Sequence, residues 1–131
     1  MTLWIKSPLA ILTPGAENGL VIENDKIIEL VPTGSGPATF VDEIFDASAH
    51  VILPGLINTH HHFYQTLTRA HPNAINKKLF PWLQTLYPIW AGLEPKGFRL
   101  AVRVALAELL LSGCTTASDH HYVFPRNLTD A

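Results

Sequence analysis

The sequence predicts an α/β protein in two parts, a β-rich segment over residues 1–54 and the opening of a parallel strand–helix–strand arrangement over residues 55–131. Three observations carry that prediction. Short apolar runs punctuated by Gly, Pro, Asn and Asp fill the first part, with no helical periodicity. The dipeptide Pro54-Gly55 then breaks the pattern. Beyond it, an apolar strand, long helical stretches and a second short strand follow in turn, which is how parallel strands are connected.

Taken in order, residues 3–5 and 9–12 are apolar and end at the turn signal Thr13-Pro14-Gly15. Residues 20–22 and 27–31, separated by Glu23-Asn24-Asp25-Lys26, predict a hairpin with a polar turn. Residues 32–37, with Gly34 and Gly36, read as a loop. Residues 41–45 and 50–53 predict a further strand pair, joined through Asp46-Ala47-Ser48-Ala49. Small strands without helices point to a partial sandwich or barrel with a thin core.

In the second part, residues 56–60 form a short apolar strand that runs directly into three histidines. A helical stretch is expected over 63–70, and an aromatic-rich helix over 79–93 with Pro81 near its start and Pro88 expected to kink it. Glu94-Pro95 opens the clearest helix; Pro95 suits a first turn, and Gly113 stops the run after residues 98–111. That helix is apolar on nearly every face, so burial on more than one side is expected. Residues 114–118 give the second strand, ending in Asp119-His120-His121. A single strand–helix–strand unit has nothing to pair with on its far side, so the sequence is expected to be a fragment of a longer chain.

Apolar residues make up 47% and charged residues 15%, the balance of a folded soluble protein. The net charge is −2 and no run of Lys or Arg occurs, which argues against nucleic-acid or acidic-membrane partners. The single cysteine, Cys114, excludes an internal disulfide and fits a reducing compartment. Lys6 and Pro8 interrupt the N-terminal apolar stretch, so no secretory pattern is present, and Arg103 and Glu108 break the longest apolar run. A soluble, cytoplasmic protein is the expectation.

His60-His61-His62 is the stretch richest in chemistry. In a strand, residues two apart share a face, so His60 and His62 converge while His61 points away and is expected to hydrogen-bond into the helix layer. Two neutral imidazoles so placed can meet one ion at about 2.0–2.1 Å if it is zinc. The pair also stands at the carboxyl end of an apolar strand, where α/β sheets build their sites. The competing reading is a surface tract with adventitious metal affinity; the Pro54-Gly55 break, the strand and the helical crossover favour a site. Strand alternation in Asp119-His120-His121-Tyr122 groups Asp119 with His121 and His120 with Tyr122, and leaves open which pair faces that site. Thr115 and Thr116 suit a buried strand and Cys114 a core position.

The stretch Leu53-Pro54-Gly55-Leu56-Ile57-Asn58-Thr59-His60-His61-His62 resembles the first barrel strand of the amidohydrolase superfamily. The resemblance extends over the small β-rich domain before it and over Ser112-Gly113-Cys114-Thr115-Thr116. It implies a small β-sandwich domain followed by the start of a TIM-like (β/α)8 barrel, a fold of roughly 250 residues. It implies one divalent metal held by His60 and His62: zinc by default, with iron or manganese able to take the same ligands. Within the superfamily, His62-Phe63-Tyr64-Gln65-Thr66-Leu67-Thr68-Arg69 and Phe80-Pro81-Trp82-Leu83 resemble the branch that deaminates aromatic nitrogen heterocycles. The substrate implied is an aminated purine or triazine-like ring of the 8-oxoguanine type. In that chemistry, metal-acidified water attacks the amino-bearing carbon, ammonia leaves, and a carboxylate or histidine shuttles protons.

Under this resemblance Gln65, one turn past His62, is a candidate substrate contact, since an amide both donates and accepts; an ordinary surface glutamine is the alternative. Trp82 is a second candidate, by stacking on a flat ring, against a role locking a helix in place. His121 is a third. The remaining ligands and proton-transfer groups come from later strands in the family, so no catalytic residue is expected on this chain, and the isolated polypeptide is expected to be inactive. Alternatives are a cyclic amidase of the hydantoinase kind, a barrel relative without catalysis, or a stand-alone β-rich module. Two paired imidazoles speak against a decayed site. The oligomeric state, including a homo-oligomer of the full-length protein, stays open.

Overall fold

A computed structural model describes residues 1–125, and the chain divides into two compact units at the Pro54–Gly55 junction. In the first unit, β1 (Thr2–Lys6), β3 (Gly19–Glu23), β4 (Lys26–Leu30) and β5 (Glu43–Asp46) form a sheet in the order β4-β3-β1-β5. Separately, β2 (Ala10–Ile11) pairs with β6 (Val51–Ile52). β3 and β4 make the expected hairpin, its turn helped by Asn24 in the left-handed region at φ 54°. Trp4, Val21 and Val31 form the core beneath the sheet.

The predicted pairing of residues 41–45 with 50–53 does not occur. Instead β5 lies parallel to β1 and β6 parallel to β2, so each joins an earlier strand. The link between them explains the difference. Asp46 Oδ1 accepts the Ser48 N–H at 2.9 Å, and the Ala47 N–H reaches back to the Lys6 carbonyl at 2.9 Å. This side-chain turn carries the chain from one sheet to the other rather than folding it into a hairpin. At the other end of β5, Asp42 Oδ2 accepts the Thr2 backbone N–H at 2.7 Å, which holds its carboxyl below the usual range.

In the second unit, β7 (Leu56–His61) lies parallel to β8 (Cys114–Asp119), with a 3₁₀ helix (Phe63–Thr68), α1 (Leu79–Ala91) and α2 (Pro95–Leu111) between them. Gly55 leads into β7 at a close approach: a Cβ there would stand 2.0 Å from Thr115 Oγ1. The helix expected over 63–70 is a tighter 3₁₀ segment that stops at Thr68, because Thr68 Oγ1 donates to the Gln65 carbonyl and the chain reverses at Ala70, φ 56°. α1 continues through Pro88 to Ala91. α2 starts at Pro95, and Gly113 at φ 83° turns the chain into β8.

α2 departs from expectation in its burial. Phe98, Ala101 and Ala105 are buried against the 3₁₀ helix and β8, whereas Leu106, Leu110 and Leu111 are exposed. Among the described residues, only one face of the helix is buried. The unit's core is aromatic: Tyr64 stacks with Phe98 and meets Trp90 edge-on at 5.2 Å, and both Tyr64 and Trp90 are fully buried. The Trp90 indole donates to Thr68 Oγ1 at 3.0 Å, tying α1 to the 3₁₀ helix. Among the described residues, no helix is long and apolar enough to cross a membrane.

Candidate metal centre at the end of β7

Pairing of β7 with β8 is interrupted near its carboxyl end. Asn58 lies opposite Ala117 and His61 opposite Asp119, so Thr59 and His60 face the single residue Ser118. This is a β-bulge, a device that re-aims side chains near functional sites. The His60 N–H is taken up by Asn58 Oδ1 at 3.0 Å. The result brings the His60 and His62 rings together, edge to face, with their Nε2 atoms 3.2 Å apart.

The tautomer of His62 follows from its partner. Its Nδ1 lies 2.7 Å from the His120 carbonyl oxygen, which can only accept, so Nδ1 carries the proton and Nε2 the lone pair. Two nitrogens each about 2.0–2.1 Å from a tetrahedral ion stand about 3.3–3.4 Å apart, so the observed separation fits two ligands of one cation. Among the described residues, no group of three or more His, Cys, Asp or Glu side chains converges for a metal.

The other candidates separate. His61 lies tilted against Phe63 and lines a cavity that His62 also lines; its buried Nδ1 does not make the expected bond into the helix layer. Of the two pairs at the end of β8, it is His120 and Tyr122 that join the imidazoles. The His120 ring stacks on His60 with centroids 4.2 Å apart, and Tyr122 meets His62 edge-on at 5.3 Å. His121 instead packs among Phe98, Tyr64 and Phe124, which makes it a core contact of the helix layer rather than a neighbour of the histidine pair. Asp119 is structural: its Oδ1 accepts the Phe63 N–H at 3.0 Å and anchors the 3₁₀ helix.

An open cavity of about 490 Å³ adjoins His62, lined among others by Gln65, His71, Lys77 and Trp82. Gln65 and Trp82 thus share one hollow with His62. Gln65 Nε2 donates to the Tyr64 hydroxyl at 3.2 Å. Burial, then a hydrogen bond with Tyr122, holds the Tyr64 phenol well above its ordinary pKa. Trp82 also meets Trp90 at 5.5 Å, so it both lines the cavity and packs. Asn58 was not singled out by sequence, and the choice of His120 and Tyr122 over Asp119 and His121 was left open there; the bulge that gathers them depends on pairing between segments nearly sixty residues apart.

The amidohydrolase family model matches residues 51–130. The chain belongs to the amidohydrolase family. Its relatives in this family include the 8-oxoguanine deaminase of Pseudomonas aeruginosa, 60% identical over 98% of this chain and 29% of that protein. Hydroxydechloroatrazine ethylaminohydrolase of Pseudomonas sp. strain ADP is 37% identical over 74% of this chain and 20% of that protein. The crystal structure of atrazine chlorohydrolase from Arthrobacter aurescens TC1, complexed with zinc, superimposes with a TM-score of 0.77 at 29% identity, covering 94% of this chain and 29% of that one. This amidohydrolase chain therefore spans under a third of the length of these relatives. The family assignment agrees with the resemblance carried by residues 53–62.

Proposed function

We propose that this chain supplies the first two metal ligands, His60 and His62, and part of the substrate wall of a hydrolase that deaminates an aminated purine or triazine-like heterocycle of the 8-oxoguanine type. The reading places the small unit and the strand–helix–strand unit as the β-sandwich domain and the opening of a TIM-like (β/α)8 barrel, in a cytoplasmic protein. The observation that carries it is the 3.2 Å approach of two Nε2 atoms, one with its tautomer set by a backbone carbonyl. The names of the relatives, deaminases and aminohydrolases of nitrogen heterocycles, support the reaction class.

A divalent ion, zinc by the chemistry of two imidazoles, supplies acidified water near neutral pH. His60 and His62 would hold it. Gln65, from the 3₁₀ helix, offers its amide carbonyl and one of its two N–H groups to the ring edge, the other N–H being held by the Tyr64 hydroxyl. Trp82 walls the same cavity and can lie against a flat ring.

The test uses the full-length protein. Zinc content is measured alongside ammonia release from 8-oxoguanine, other aminated purines and aminated triazines. Stoichiometric metal lost in His60→Ala and His62→Ala, with release from at least one substrate class, is the expected result. Bound metal without release from any of them would remove the deaminase reading, and full metal retention in both variants would remove the ligand assignment.

A further inference from the structure

We propose that His120 is a positioning residue of the metal centre, whose ring holds the β7 bulge in the form that aims His60 at His62. The inference rests on the reading of His60 and His62 as ligands and adds a residue that lies outside it. Residue 120 touches four successive positions at the end of β7. Its ring Nε2 lies 3.1 Å from the Thr59 carbonyl oxygen, which can only accept, so Nε2 is the protonated nitrogen of His120. The same ring stacks on His60 at 4.2 Å, with the planes inclined by 28°. Its backbone N–H donates to the His61 carbonyl at 2.7 Å, and its carbonyl accepts from His62 Nδ1, also at 2.7 Å.

The division between ring and backbone gives the proposal its content. The two backbone bonds fix the end of β8 beside β7 and set the tautomer of His62. The two closest ring contacts fall on Thr59 and His60, the pair that share one opposing residue in the bulge, while the ring meets His62 only edge-on at 5.9 Å. A bulge has an extra residue without a place in the ladder, so its aim depends on side chains. Asn58 holds the His60 N–H from one side, and His120 holds the preceding carbonyl and the imidazole face from the other. Removing the ring frees His60 to rotate while keeping the backbone carbonyl that holds His62 Nδ1 and sets its tautomer. Groups that orient metal-binding imidazoles in this way are each worth about 10–100-fold in metal affinity.

The experiment measures the zinc Kd of the full-length protein by chelator competition for wild type, His60→Ala, His120→Ala and His120→Phe, with apo-protein melting as the folding control. The visible spectrum of the cobalt(II)-substituted proteins is recorded beside it. His120→Ala is expected to weaken zinc by about 10–100-fold without lowering the apo melting temperature, and to alter the cobalt bands. His120→Phe keeps a stacked ring and loses only the bond to Thr59, so its affinity falls between wild type and His120→Ala. Wild-type zinc affinity and cobalt bands in folded His120→Ala would overturn the proposal. Should that variant not fold, His120→Phe decides: weaker zinc binding supports the proposal, and unchanged binding overturns it. If His60→Ala binds zinc as tightly as wild type, the ligand assignment itself fails and takes this inference with it.

Discussion

Replacing Gly55 with Ala tests the packing that holds β7 against β8. An added Cβ would stand 2.0 Å from Thr115 Oγ1, 2.5 Å from Cγ2 and 2.8 Å from Cβ, where ordinary contact begins at 3.4 Å. The closest approach is short by 3.4 − 2.0 = 1.4 Å. Rotating the threonine exchanges its two γ atoms and leaves its Cβ in place, so the two strands must part. Overpacking of this kind costs about 1–3 kcal/mol. The smaller entropy of an unfolded alanine returns about 0.4–1 kcal/mol, so a net loss of about 1–2 kcal/mol is expected. The partner variant is Thr115→Gly, which removes all three atoms; Thr115→Ala would keep the Cβ at 2.8 Å and relieve the clash only in part. Urea unfolding of the full-length protein as single and double variants gives the coupling, expected to be about 1–2 kcal/mol in favour of the pair. Wild-type stability in Gly55→Ala, or strict additivity with Thr115→Gly, would refute the close approach.

Trp90→Ala should destabilise by about 3–5 kcal/mol, since the indole is fully buried among Tyr64, Trp82 and Tyr87. Trp90→Phe retains part of that volume but loses the bond to Thr68, so its denaturation midpoint should fall between those of wild type and Trp90→Ala. The Tyr64 phenol is raised above its ordinary pKa, so folding favours the protonated form: the contribution is present below about pH 10 and is lost as pH climbs beyond it. Denaturation midpoints recorded between about pH 9 and pH 11 should therefore fall more steeply in wild type than in Tyr64→Phe, and parallel curves would contradict the assignment.

Much of this architecture is written in local chemistry. The Pro54-Gly55 break, the hairpin around Asn24, and Pro95 and Gly113 at the ends of α2 are one-residue signals whose conformational demands hold in any context. Strand alternation, a local rule, grouped His60 with His62, but the bulge that brings their rings together was not legible. What escaped was set by distant partners. Nothing in residues 41–53 announces that β5 pairs with β1 and β6 with β2, since parallel partners leave no turn between them. The side of β8 that faces the histidines depends on its register with β7, and two bulges shift that register. His121 and His120 are chemically identical in the sequence, yet one packs on Phe98 and the other on His60. The stretch after His62 was read only as helical, and its 3₁₀ form and its end at Thr68 escaped because the Thr68 side chain's bond to the Gln65 carbonyl is not a matter of periodicity.

The position of β1 between β3 and β5 has a consequence for the protein's birth on the ribosome. One flank of β1 is covered by β3 and its hairpin, complete once Leu30 has emerged, whereas the other waits for Asp46. At roughly 5–20 residues per second that delay is about one to three seconds, against about 1–10 μs for a hairpin to close. For that interval the nascent sheet carries an open edge along Leu3 to Lys6, to which any extended segment nearby can bind until β5 arrives to displace it.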